Sequence, residues 1–282
     1  MRVMTCNVWV GEMNPLMGYF SYAWPGRMTR QVKVWLEQNP DVICLQEVFL
    51  ASQRQVLRQV PGYTLYTPQN TQPMKPVGLV SLVIWVLLLC SLPMLLSQQP
   101  LLMLVALVVL FYVLRNHAFT NIFTSRSSGS AILVKNNVRV LRTMDWVYTN
   151  QAGDFVNNYV YRGGMSVDVE LPDATTAQII TTHLNQDHTR YRMEQVEELL
   201  TFLTPAAVDT VVVCGDFNAT PESPDVQYIQ EQTDLRRGDN TDNTWNDEKL
   251  LDHIFTNATF QSYQVLPLRP TLLDHSPIVA DI

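Results

Sequence analysis

Short apolar runs alternate with polar turns along most of the chain, and the runs differ in spacing. Runs rich in valine, isoleucine and threonine read as buried strands. They cover residues 2–10 (ending near Asn7), 41–48, 63–66, 129–135, 138–148, 158–170, 177–183, 209–214, 251–256, 260–266 and 276–281. Other stretches have helical spacing. Over 27–38, Met28, Val32, Trp35 and Leu36 share one face before Asn39-Pro40 ends the helix. A short helix is predicted over 52–60 and another from near Pro224. From Thr189 to Phe202, Met193, Val196, Leu199 and Leu200 form an apolar face, with Arg190, Arg192, Glu194 and Glu197 expected in solvent. Strands outnumber helices and no internal repeat is present. The pattern predicts an α+β fold, a four-layer α/β/β/α sandwich of two packed mixed sheets with outer helices, rather than a doubly wound parallel sheet.

One segment breaks this pattern. From Pro76 to Leu114 there is no charged residue, with Lys75 before it and Arg115 after it. Val77 to Leu96 has about the 20 residues that a bilayer-spanning helix needs. Ser97-Gln98-Gln99-Pro100 is polar and turn-forming, and Leu101 to Leu114 is a second, shorter apolar run. The expectation is a hydrophobic helical hairpin over 76–115, inserted into a single catalytic domain made of 1–75 and 116–282. Lys75, Arg115, His117 and Arg126 would flank it on one face, which the positive-inside rule makes cytosolic. A buried soluble hairpin or a half-inserted one fits the same composition. Aromatics at Tyr19, Phe20, Tyr22 and Trp24, in a loop over 11–25, suit either core or interfacial anchoring.

Composition narrows the function classes. The 282 residues, 47% hydrophobic and 16% charged, are ample for a core. A net charge of −7 argues against general attraction to a polyanion, so nucleic acid is not the expected partner. Arg126, Lys135, Arg139 and Arg142 form a loose basic run that reads as solvated or membrane-facing surface. Cys6, Cys44, Cys90 and Cys214 are widely spaced, without a CxxC pair. That predicts buried thiols in a reducing compartment, neither a disulfide framework nor a zinc site. No signal peptide is visible at Met1-Arg2-Val3, and the sequon at Asn218 falls within the candidate site.

The chemistry collects at strand ends. Gly215-Asp216-Phe217-Asn218 follows the apolar run Val211-Val212-Val213-Cys214, so that Asp216 and Asn218 are expected on one side of an extended chain facing a cavity. Taken alone, the same residues describe a β-turn equally well. Other polar residues interrupt apolar runs in the same way: Asn7 in Thr-Cys-Asn-Val-Trp, Glu47 in Leu-Gln-Glu-Val, and His183 and Asn185 in Thr-Thr-His-Leu-Asn. Asp252 sits in Leu-Asp-His-Ile-Phe, and Asp274-His275 in Leu-Asp-His-Ser-Pro. His253, beside Asp252, falls on the opposite strand face and reads as structural.

In this order the motifs resemble the endonuclease/exonuclease/phosphatase superfamily, the fold of deoxyribonuclease I. The resemblance covers the chain except about 68–125. Gln-Glu-Val-Phe, Thr-His-Leu, Gly-Asp-Phe-Asn and Asp-His-Ser-Pro look most like its neutral sphingomyelinase branch, although Leu273 stands where a serine is usual. Hard oxygen donors without cysteine suit magnesium, with manganese or cobalt as substitutes, held by Glu47 with Asn7 and Asp274. The resemblance implies that His275 activates the attacking water and that Asp252 orients it. It also implies that Asp216 positions the water or acts with His275, Asn218 holds a phosphate oxygen, and His183 donates to a non-bridging oxygen. Asn185 and Arg162, the latter in Arg-Gly-Gly, are candidate substrate contacts. The implied activity is a magnesium-dependent phosphodiesterase acting on a phospholipid head group, membrane-associated with its catalytic domain on the cytosolic side. A tethered nuclease, a phosphoinositide phosphatase and a non-catalytic adaptor are the alternatives. No protein partner can be inferred.

Overall fold

The computed structural model describes residues 1–8, 27–49, 51–69, 72, 127–151, 160–239, 241–267 and 274–282. Its strands are β1 (Arg2–Asn7), β2 (Val42–Gln46), β3 (Tyr63–Tyr66), β4 (Ala131–Lys135), β5 (Arg139–Val147), β6 (Gly163–Glu170), β7 (Thr176–His183), β8 (Thr210–Asp216), β9 (Arg236–Arg237), β10 (Asp252–Thr256), β11 (Ser262–Val265) and β12 (Ile278–Asp281). The helices are α1 (Arg27–Glu37), α2 (Ala51–Arg58), α3 (Thr189–Leu200) and α4 (Pro224–Gln232). The strands form two sheets, ordered β11-β12-β1-β2-β4-β3 and β5-β6-β7-β8-β10-β9. Both sheets are mixed: β1 pairs with β2, and β7 with β8, in parallel, while their other neighbours run antiparallel.

Period-two alternation explains the layering. Val3, Val42, Cys44, Ile132, Val167, Ile179, Val212, Cys214 and Ile254 pack together between the sheets. The intervening residues Met4, Cys6, Ile43 and Leu45 pack outward against Val32 and Trp35 of α1 and Leu57 of α2. On the far side Ile180, Val211, Val213 and Phe255 meet Val196 and Leu199 of α3 and Val226 and Ile229 of α4. The inner strands β1, β2, β7, β8 and β10 therefore bury both faces, at about 1.5–3 kcal/mol for each large aliphatic side chain, while the edge strands β3, β5, β9 and β11 stay partly exposed. The α/β/β/α layering is as expected. The small strand β9, absent from the sequence reading, adds to the edge at β10. Cys6, Cys44 and Cys214 are buried free thiols, and burial together with contact with Cys214 pushes the Cys44 thiol well up.

One expectation for α3 does not hold. Arg192 is buried, and its Nε donates to the Asp225 carboxylate of α4 at 2.5 Å. Asp225 supplies the counter-charge that lets a guanidinium leave water, so the α3–α4 contact is polar at this point. Among the described residues no helix is long and apolar enough to cross a membrane. The charge-free segment 76–115, the loop over 11–25, Arg126, Cys90 and Leu273 lie outside the described residues.

Candidate active site

The apolar layer between the sheets gives way to polar groups at one end. On β1 the inward residues are Val3, Thr5 and Asn7, on β2 Val42, Cys44 and Gln46, and on β8 Val212, Cys214 and Asp216. The register sets Asn7 opposite Gln46, Asp216 opposite His183, and Asp252 opposite Asp216. Gln46 marks the floor. Its Nε2 donates to Thr5 Oγ1 at 3.1 Å and across the sheets to Thr181 Oγ1 at 2.7 Å.

Asp216 is the hub. Its Oδ2 accepts from Asn7 Nδ2 at 2.9 Å and lies 3.4 Å from His183 Nε2 and 3.7 Å from His275 Nε2. Burial raises the Asp216 pKa, but the two imidazoles and the Asn7 and Asn218 hydrogen bonds outweigh it, and the net shift is downward. Gly215, with φ +141, is packed so tightly on β7 that a Cβ there would lie 2.0 Å from the Thr182 carbonyl oxygen. No side chain fits between these strands. Beyond Asp216 the chain is a turn, not an extended strand. Asn218 has φ 50, its N–H donates to Asp216 Oδ1 at 2.8 Å, and its Nδ2 donates to Leu184 O at 3.1 Å. Asn218 thus reaches the site through the turn rather than through strand alternation, and is partly exposed there.

His275 and Asp252 form a dyad, with Nδ1 and Oδ2 2.7 Å apart. Burial lowers the His275 pKa, yet Asp252, Asp216 and Asp274 carry it well above its ordinary value. Asp252 is pushed up to about 6, mainly by burial. The raised His275 pKa favours the proton on the imidazole, with Nδ1 toward Asp252 and Nε2 toward Asp216. His253 points away as expected, its Nε2 hydrogen-bonded to Ala219 O at 2.8 Å and its pKa lowered to about 4 by burial.

Glu47 lies one residue past β2, where alternation alone would turn it toward the helices. A left-handed backbone, φ 64, accompanies its placement in the site, with Oε1 3.7 Å from His183 Nδ1. Burial raises its pKa to about 8, Arg162 opposes the shift, and Asp274 and Asp216 add to it. A buried carboxyl group whose pKa is raised beside Asp274 and Asp216 suits a cation, and the oxygen donors of Glu47, Asn7 and Asp274 suit a hard one. Asp216, Asp252 and His275 also bring one ligand atom each within 4.8 Å of one another. Within that trio Asp252 Oδ2 and His275 Nδ1 are already engaged with each other.

Arg162 is 1% exposed, with Nη1 2.8 Å from His183 Nδ1 and 2.5 Å from Nε2. Burial first, and then Arg162, hold the His183 pKa well below 6.5. Arg162 is thus packed on a catalytic candidate. Asn185 is fully buried, and its Oδ1 accepts the N–H groups of Asp187 and His188 in a turn leading into α3. That oxygen is committed to the backbone. Three supports escaped the sequence reading. Gln151 clamps the backbone of Arg162 on both sides, at 2.8 Å to N and 2.7 Å to O. Gln195 of α3 joins Asn185 N to Asn150 O. Thr244 accepts the N–H groups of Leu251 and Asp252. None ends an apolar run, so no linear pattern marks them.

A family model described as the endonuclease/exonuclease/phosphatase family matches residues 4–275. No curated protein sequence matches the chain. Among solved structures, the human nocturnin catalytic domain with bound sulfate superposes with a TM-score of 0.65 at 18% identity, covering 99% of this chain and 92% of that one. A mannosyl-6-phosphatase of Bacteroides thetaiotaomicron gives 0.66 at 14%, covering 100% and 98%. Beta toxin from Staphylococcus aureus gives 0.62 at 17%, covering 100% and 99%. At these identities the likeness shows the fold.

Proposed function

We propose that this chain, which belongs to the endonuclease/exonuclease/phosphatase family, is a magnesium-dependent phosphodiesterase acting on a phospholipid head group at a membrane surface. Members of the family are hydrolases of phosphoester bonds, generally dependent on a divalent metal. The observation that carries the lipid reading is topological. The carboxyl end of β2 leads into Glu47, β4 runs antiparallel to β2, and β3 antiparallel to β4. Hence β3 ends, and β4 begins, at the catalytic end, where Val48 N donates to Gly129 O at 2.8 Å. The chain that carries the charge-free sequence departs after β3 and returns at β4, and both of those strand ends lie beside the site; the composition of that sequence suits a bilayer. An anchor placed there turns the site toward lipid.

The residues divide the chemistry between them. Glu47, with Asn7 and Asp274, would hold the magnesium ion, which when bound polarises a phosphoryl oxygen and offsets charge on the leaving group. His275 Nε2, once unprotonated, takes a proton from the attacking water, while Asp252 keeps Nδ1 as the donor. Asp216 orients the water between the two imidazoles. His183, kept neutral beside Arg162, offers a hydrogen bond to a non-bridging oxygen, and the second amide proton of Asn218 is suited to the same task. Detergent-solubilised full-length protein with magnesium is expected to release phosphocholine from sphingomyelin or a related phospholipid. Efficient hydrolysis of soluble phosphoesters without any lipid turnover refutes the lipid assignment. Preference for single-stranded DNA or a phosphoinositide identifies one of the other activities instead.

A further inference from the structure

Thr244 is tied to the backbone of Asp252 and to that of Ser276, the residue after His275. Its N–H donates to Lys249 O at 2.8 Å, and its carbonyl accepts from Ser276 N, next to His275, at 2.7 Å. Its side-chain oxygen accepts two further N–H groups at 3.0 Å, those of Leu251 and of Asp252 itself. The residue is 1% exposed. A hydroxyl has two lone pairs and one proton. Both lone pairs of Thr244 are filled, so its proton must go to an acceptor. Asp252 has one to offer. Oδ2 is engaged with His275, while Oδ1 is fully buried and takes no hydrogen bond. Thr244 is also close enough to favour the charged Asp252 carboxylate.

We propose that Thr244 is a positioning residue whose hydroxyl donates to Asp252 Oδ1 and so fixes the carboxylate plane that holds His275. The segment around it supports this task. Trp245 bridges to both Lys249 and His275, and Asn246 N donates to Asp274 O at 2.9 Å. Thr244 therefore sits where the 244–249 turn, the start of β10 and the Asp274–His275 strand end are joined. A rotated Asp252 carboxylate would release Nδ1 of His275 and let the ring turn, moving Nε2 away from Asp216. Misplacement on that scale costs a reaction about 10²-fold. The inference rests on phosphoester hydrolysis by the dyad, not on the lipid assignment.

The test uses the full chain, magnesium and the soluble diester bis-p-nitrophenyl phosphate, with a second readout independent of turnover. The His275 Nδ1–H proton, bonded to a carboxylate, is expected as a far-downfield proton resonance. Thr244→Ser should keep that signal and near-normal kcat. Thr244→Val should lose or shift it and lower kcat about 10²-fold with little change in KM. If the valine variant does not fold, Thr244→Ala, which admits a water to the two amides, carries the same comparison. In an Asp252→Asn background the loss of the hydroxyl should cost nothing further. An unchanged downfield signal in the folded valine or alanine variant overturns the proposal, as do losses that add fully to those of Asp252→Asn. Absent turnover of this diester in wild type, together with absent phosphocholine release from lipid, refutes the enzymatic reading, and the resonance still decides whether Thr244 holds the dyad.

Discussion

Asn7 Nδ2 donates to Asp216 Oδ2 at 2.9 Å, joining residues 209 apart in sequence and in different sheets. The bond closes the mouth of the inter-sheet layer and helps keep Asp216 ionised against its burial. Asn7→Ala leaves a buried carboxylate oxygen short of a donor, costing about 1–3 kcal/mol of stability. It should also lower kcat/KM by about 10–100-fold, because Asp216 loses its orientation. Denaturant unfolding and steady-state kinetics check both numbers, and a stability loss without a rate loss removes Asp216 from the mechanism.

His275 carries the pH dependence. Its pKa is raised well above 6.5, so the base form appears only as pH rises through that higher value. The acidic limb of the kcat/KM profile should therefore lie above pH 6.5. Asp252→Asn removes a neighbouring negative charge and should move the limb to lower pH while reducing the rate. A rate that falls across the same window assigns the imidazolium, not the imidazole, to catalysis.

Under the proposed assignment of magnesium to Glu47, cation and proton compete for the same carboxylate. Its pKa is raised by burial from 4.5 to about 8 in the folded, metal-free protein. Between those values the folded state binds a proton that the unfolded chain does not, so its contribution to stability falls as pH rises. A cation displaces that proton and offsets the loss. Added magnesium should raise Tm more at about pH 8.5 than at about pH 6, and Glu47→Gln should erase the difference. Thermal scans with and without metal at both pH values measure it.

The α3–α4 contact gives a stability test remote from chemistry. Arg192→Met leaves the Asp225 carboxyl without its partner at 0% exposure, and breaking such a pair costs about 3–5 kcal/mol. Replacing Asp225 by leucine in the same protein should recover much of this, because paired apolar residues do not carry a desolvation cost. Chemical denaturation of the single and double variants measures the recovery.

The legible part of the site was the part made by strand alternation. Asn7, His183, Asp216 and Asp252 each end or begin an apolar strand on its inward face, and the same alternation sends His253 outward. Glu47 and Asn218 reach the site through left-handed backbone, which a period-two pattern does not encode. Thr244, Gln151 and Gln195 act through contacts with backbone brought close only by the fold. Arg192 reads as a solvent residue on α3 because its partner, Asp225, lies on another helix.

The pairing of β3 with β4 has a consequence for how such a protein is assembled. Tyr66 faces Ile132 in an antiparallel ladder, so everything between them occupies the position of a hairpin loop. The entropy of closing a loop grows only logarithmically with its length, so a tight turn and a long hydrophobic excursion are nearly interchangeable to the sandwich. Replacing the chain between β3 and β4 by a glycine-containing turn should therefore leave both sheets, and the strand ends that carry the site, in place.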